Sequence, residues 1–257
     1  MLTIARDFAT RSDGVVAFLD IVAAVVTVAK TEHKSARSRV TFVRASKRLK
    51  TLAQADAGFY LTAFDGSYLT LCAEYEMTVR NLIEKFVQEA SLKCMEYNHL
   101  PIEMREWYPD GCSTVILNIG MDKFSHLTKD QIVRSLASCV KVRGFSLLGE
   151  PFSDNHMNFR PGVVEDTLAK RIGLRKIWQK LSRAGALQGM VGTTELSTVE
   201  RQLRDKLECI MQRRNDIIHR GRRYYVPSDT EVREAAAYLK ALVTELAAQM
   251  QGYLAGI

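Results

Sequence analysis

The sequence lacks most of the patterns that announce an enzyme. It has no Walker phosphate loop, no nucleophile elbow and no dinucleotide-binding glycine fingerprint. These absences leave the commonest nucleotide-dependent and serine-hydrolase classes without support. Metal chemistry has no footing either, because no Cys-x-x-Cys pair and no Cys/His group at zinc-ligand spacing occurs. The five cysteines, Cys72, Cys94, Cys112, Cys139 and Cys209, are scattered, odd in number and mostly set in apolar runs. They argue against a disulfide framework and for reduced thiols in a cytoplasmic protein. Only five prolines and fifteen glycines occur in 257 residues, with no low-complexity segment. No repeat at solenoid period is present. Long hydrophobic runs are missing as well. The longest, "VVAFLDIVAAVVTVA" (15–29), is too short to span a bilayer and carries Asp20, so it predicts a buried helix and no membrane contact. The residues ahead of it include acids and precede no small-residue cleavage site, so no signal peptide is expected.

What the chain does have is basic charge. Thirty-six Lys and Arg against 29 Asp and Glu give a net charge of +7, which favours an anionic partner, nucleic acid first. One concentration lies at "KTEHKSARSRVTFVRASKRLK" (30–50), with eight Lys or Arg against one Glu. It reads as a solvated helix face or connector, or as a surface for RNA backbone.

Helical periodicity dominates the rest. The apolar run predicts a first helix over 13–30, with Ser12 or Asp13 as its N-cap, although its many valines also fit a strand. Residues 68–93 place Leu71, Tyr75, Val79, Leu82, Ile83, Phe86 and Ala90 on one stripe. Glu76 and Arg80 stand at i, i+4 there, the spacing of an ion pair. Residues 97–127, with Pro101, Pro109 and Gly111, read as a connection with a short helical piece, and "STVILNIGM" as a strand or buried helix. Thr128 and Gln131 form a capping box before "QIVRSLASCVKV". A loop over 143–162 and two short helices closed by glycines follow, then a loop over 187–195. Two strong helices end the chain, 197–219 with a Ser197/Glu200 box and 229–254 with a Ser228/Glu231 box. The fold class is therefore all-α, with minor short strands admitted between 110 and 160.

Chemistry concentrates at "RRNDIIHRGRR" (213–223), five arginines and one histidine at the end of the penultimate helix. Leu203, Leu207, Ile210 and Met211 set that helix's apolar face, Ile217 and Ile218 continue it, and Arg214 falls on it between them. A guanidinium on a core-facing stripe is costly unless it is paired or faces a cleft. Arg214 is thus either a structural arginine paired to a carboxylate such as Glu76, or a site residue. His219 lies five positions on, which turns an ideal helix by about 140°, so the two side chains diverge within one chain. Gly221 is the expected helix stop.

The string "RRNDIIHRG" resembles the active-site signature of HEPN domains, most closely the RiboL-PSP-type and related branches of prokaryotic conflict and defence loci. "LCAEYEMTVRNLIEKFV" is similar to the early HEPN helix, and "NHMNFRPGVVEDTLAKRIGLRKIWQKL" to the segment leading to the motif helix. The resemblance covers about residues 55–254. It implies a HEPN-type helical bundle over 55–257, with residues 1–54 as an N-terminal helical and basic extension. It further implies a homodimer whose two motifs share one cleft, and an endoribonuclease that needs no metal and no cofactor. On that reading Arg214 and His219 are catalytic, with Asn215, Asp216, Glu76 and Arg80 supporting them. Arg213, Arg220, Arg222 and Arg223 would grip flanking RNA backbone. A toxin or antiphage effector acting on tRNA or other cellular RNA is expected, held in check by an antitoxin or sensor protein. The tyrosine that some HEPN toxins carry two residues after the histidine is here Gly221. A non-catalytic HEPN module that binds RNA or nucleotide, or docks onto a sensor, is the alternative.

Overall fold

A computed structural model describes residues 1–30, 57–141, 144–154, 158–220 and 226–257, and ten α-helices occur among these described residues. No strand occurs among the described residues, so the minor strands allowed by the sequence are absent there. The basic segment 31–50, Gly221, Arg222 and Arg223 lie outside the described residues.

The first helix, α1 (Leu2–Lys30), begins well before the expected 13. Neither Ser12 nor Asp13 is its cap. Ser12 is buried in mid-helix, and Asp13 accepts an ion pair from Lys240 at 2.5 Å. The helix extends backward because Met1, Ala5 and Phe8 continue the buried face set by Leu19 and Val22. It packs on both α2 (Ala57–Lys93) and the last helix, α10 (Asp229–Gly256). The apolar stripes of α2 and α10 are buried as their periodicity requires, and α2 and α10 also pack on one another. Lys93 closes the end of α10 by donating to the carbonyls of Leu254 and Ala255 at 2.8 and 2.7 Å. Those carbonyls lie in the last turn, where an α-helix leaves acceptors unpaired.

The reading of 97–127 as a connection is corrected by α3 (Ile102–Leu117), a full helix with Pro109 inside it. A helical proline leaves the carbonyl four residues earlier without its N–H. Here that carbonyl, of Arg105, accepts instead from the Tyr97 hydroxyl at 3.0 Å. Gly111 is needed for contact rather than for a turn. A Cβ there would meet the Pro151 carbonyl at 2.6 Å, where α3 crosses α5 (Glu150–Ser153). The box at Thr128 and Gln131 opens α4 (Lys129–Ser138) as expected.

The loop expected over 143–162 contains α5 and the start of α6 (Pro161–Asp166), which continues as one π turn over Thr167–Arg171. Gly173, at φ +82°, ends it. After α7 (Ile177–Leu181), Gly185 opens α8 (Gly185–Val191) instead of closing its predecessor, so the loop expected at 187–195 is mostly helix. The penultimate helix, α9 (Leu196–Arg220), is capped by Glu195 and not by the expected Ser197/Glu200 box. The Glu195 carboxylate accepts from the Ser197 and Thr198 amides at 3.1 and 2.7 Å, while Glu200 pairs with Arg204. The Ser228/Glu231 box at α10 is present.

Candidate active site

Helix α9 delivers the motif. Val199, Leu203, Leu207 and Met211 are fully buried, and the Leu203 carbonyl accepts from the Tyr238 hydroxyl of α10 at 2.6 Å. The next position on that face is Arg214, which is half-buried. Among the described residues it forms no ion pair, and its Nη1 donates to Asn215 Oδ1 at 3.0 Å. His219, one further turn along, is exposed. Arg214 and His219 thus differ in burial as well as in helical direction. Beyond Ile217, the apolar face runs out into solvent at Ile218, which is 47% exposed.

Helix α2 supplies the opposite wall. Tyr75 and Val79 are buried there, and between them stands Glu76. Burial pushes the Glu76 carboxyl up from its ordinary range, while the charges of Arg214 and then Arg80 pull it down. Burial wins: among the described residues no ion pair joins Glu76 to either guanidinium, and Oε1 has no hydrogen-bond partner. The i, i+4 spacing of Glu76 and Arg80 does not produce the ion pair it permits. Arg80 instead lies over the ring of Phe159, 5.6 Å from its centroid. Among the described residues Arg214 is not ion-paired to Glu76 either. Cys72, beside this pair, is pushed up to about 12 by burial first and by Glu76 second, so its thiol stays neutral.

A third piece had no signal of its own in the sequence. Residues 158–160, on the segment leading into α6, touch both walls. Asn158 Nδ2 donates to Asn215 Oδ1 at 2.8 Å. The Phe159 carbonyl accepts from the Tyr75 hydroxyl at 3.2 Å. Arg160 pairs with Glu208 of α9, and its Nη2 donates to Gln212 at 3.1 Å. Gln212 in turn donates to Asp216 at 3.0 Å, which ties Asp216 into the α9 surface.

Arg213 points elsewhere. Its Nη2 donates to Glu231 Oε1 at 3.2 Å, and Glu231 Oε2 takes the Ser228 amide at 2.9 Å in the capping box of α10. One carboxylate therefore joins the end of the motif helix to the start of the next. The Arg220 side chain lies outside the described residues together with Arg222 and Arg223.

The site so assembled has a half-buried cation, a poorly solvated carboxylate and an exposed imidazole. A guanidinium held in partly desolvated surroundings favours an anion with planar, forked oxygen geometry, such as phosphate. Among the described residues no helix is long and apolar enough to cross a membrane. A family model described as RiboL-PSP-HEPN matches residues 43–251, most of the chain. No curated protein and no solved structure matches it.

Proposed function

The chain belongs to the RiboL-PSP-HEPN family, and from that premise we propose that it is a metal-independent endoribonuclease of the HEPN type. The family is associated with RNase activity. The observation that carries the reading is Arg214, half-buried on the core-facing stripe of α9, free of any ion pair among the described residues and fixed only by Asn215. A structural arginine at such a position would be neutralised by a direct carboxylate partner.

Cleavage of RNA through the ribose 2′-hydroxyl needs three things. A base removes the 2′-proton, an acid protonates the departing 5′-oxygen, and a cation stabilises the pentavalent phosphate. Arg214 supplies the cation, with Glu76 and Arg80 supporting it across the cleft. His219 is the candidate for proton transfer. One chain offers a single such imidazole, turned away from Arg214, so His219 of the partner subunit in a homodimer completes the acid and base pair. Attack of the 2′-oxygen on phosphorus breaks the bond to the 5′-oxygen, leaving a 2′,3′-cyclic phosphate and a 5′-hydroxyl. Arg220, Arg222 and Arg223, basic residues next in the sequence, are the candidates to grip flanking backbone. Arg213 is occupied by Glu231, which makes it a weaker candidate for RNA than its neighbours. A cellular RNA such as tRNA is the substrate class, in the setting of a toxin or antiphage effector. Such an effector requires restraint by an antitoxin or sensor protein, since an unrestrained nuclease destroys its own cell's RNA.

The test is digestion of total RNA by purified protein in EDTA, beside His219→Ala and Arg214→Ala. Removing a proton-transfer group costs about 10²–10⁴-fold in rate. Loss of a preorganised donor to the transition state costs about 10²–10³-fold. Both variants are therefore expected to be inactive on the assay timescale, and wild-type products to carry cyclic phosphate ends. Normal cleavage by His219→Ala overturns the assigned chemistry.

A further inference from the structure

We propose that Asn158 is a positioning residue that sets the guanidinium of Arg214 by holding the side chain of Asn215. The inference rests on the ribonuclease reading of Arg214, and it assigns a role to a residue outside the motif.

The argument begins with hydrogen-bond chemistry. A guanidinium can only donate, so the Asn215 atom that faces Arg214 Nη1 at 3.0 Å must be the amide oxygen. That same oxygen receives Asn158 Nδ2 at 2.8 Å. Its two acceptor positions are therefore filled, one by the residue to be oriented and one by an anchor. Without Asn158, the Asn215 amide can turn over and present its NH₂ to Arg214, where donor would meet donor.

Asn158 is itself held in place by its neighbours. Phe159 is fully buried, with its carbonyl on the Tyr75 hydroxyl and its ring beneath Arg80. Arg160 is fastened to Glu208 and Gln212, which lie just before Arg214 on α9. The segment is thus pinned to α2 and α9 at once, which holds Asn158 against Asn215. Such second contacts convert a long, rotamer-rich arginine into a preset donor. Free rotation would otherwise be frozen only when the phosphate reaches its transition state.

The role predicts a loss in turnover rather than in binding. Asn158→Ala is expected to lower kcat by about ten- to a hundredfold, with KM changed by less than about twofold, as for misorientation of a catalytic group. Asn158→Asp, of the same volume, is expected to behave alike, because its carboxylate accepts the Asn215 NH₂ and turns the oxygen away from Arg214. This second variant keeps the test open if the alanine variant does not fold. Because Asn158 acts through Asn215, the double variant Asn158→Ala, Asn215→Ala should be no slower than Asn215→Ala alone. Unchanged kcat in the single variant, or losses that multiply in the double, overturn the proposal.

A readout independent of cleavage separates this inference from the ribonuclease reading. In ¹⁵N-arginine-labelled protein the Arg214 guanidinium should show slowed rotation, released in Asn158→Ala. If wild-type protein cleaves no RNA, the function fails while this measurement still decides the positioning. Arg214 signals identical in wild type and Asn158→Ala overturn the positioning whatever the activity.

Discussion

At the scale of single residues, Glu76 is the most exposed to conflict. Burial raises its carboxyl above the ordinary value of 4.5, against the pull of Arg214 and Arg80. A folded-state value above the unfolded one means that the folded chain takes up a proton more readily. The stability linked to Glu76 is then greatest below about 4.5 and is lost as pH rises through the folded value. Above that window the ionised group is a standing cost, retained within the field of Arg214 and Arg80. Glu76→Gln is therefore expected to raise the melting temperature near neutral pH and to leave it unchanged near pH 4. A lower melting temperature for the variant at neutral pH would show that the two guanidiniums outweigh burial. The arrangement fits a site in which stability is surrendered for chemistry.

At the scale of elements, the helices that bear the site are secured by contacts their own sequences do not announce. Helix α3 tolerates Pro109 because Tyr97, from the preceding turn, donates to the carbonyl that the proline abandons. Burial pushes the Tyr97 phenol up to about 12, so it remains a donor across ordinary pH. Tyr97→Phe should cost about 1 kcal/mol, the worth of a hydrogen bond whose partly buried acceptor loses its donor. The same change in a Pro109→Ala background should cost less, because the restored amide serves Arg105. Equal losses in urea denaturation of both backgrounds would show that the tyrosine acts by packing alone. Glu231 has a comparable linking role, since it caps α10 and receives Arg213 of α9 with its two oxygens. That carboxylate joins the motif helix to the closing helix, as does the Tyr238 hydroxyl on the Leu203 carbonyl.

At the scale of the molecule, α1 is continuous with the bundle rather than appended to it. It precedes the region matched by the family, yet Phe8 and Leu19 sit in the same core as Tyr75 and Leu239. Asp13 and Asp20 bind Lys240 and Arg233 of α10. The proposed chemistry asks for a second copy, because His219 is exposed and turned from Arg214 within one chain. Light scattering at micromolar protein is expected to give about twice the 29.0 kDa of one chain. A mass of one chain, with cleavage intact, would remove the shared cleft and require proton transfer within a single subunit.

The sequence by itself determined the all-helical class, the buried stripes of α2 and α10, the caps at Thr128 and Ser228, and Arg214 on the apolar face of α9. These follow from a backbone period and from hydrogen bonds three residues apart, which are local. Local rules also misled where a distant group intervened. Pro109 and Gly111 read as part of a connection with a short helical piece until Tyr97 and Pro151 supplied their reasons, and the Glu195 carboxylate took the cap assigned to Ser197 and Glu200. Only the tertiary structure decided that Glu76 stands near Arg214 without pairing to it, that Arg213 serves Glu231, and that Asn158 holds Asn215. Each of those is set by which helices pack together, and packing is fixed by the whole core rather than by any spacing along the chain.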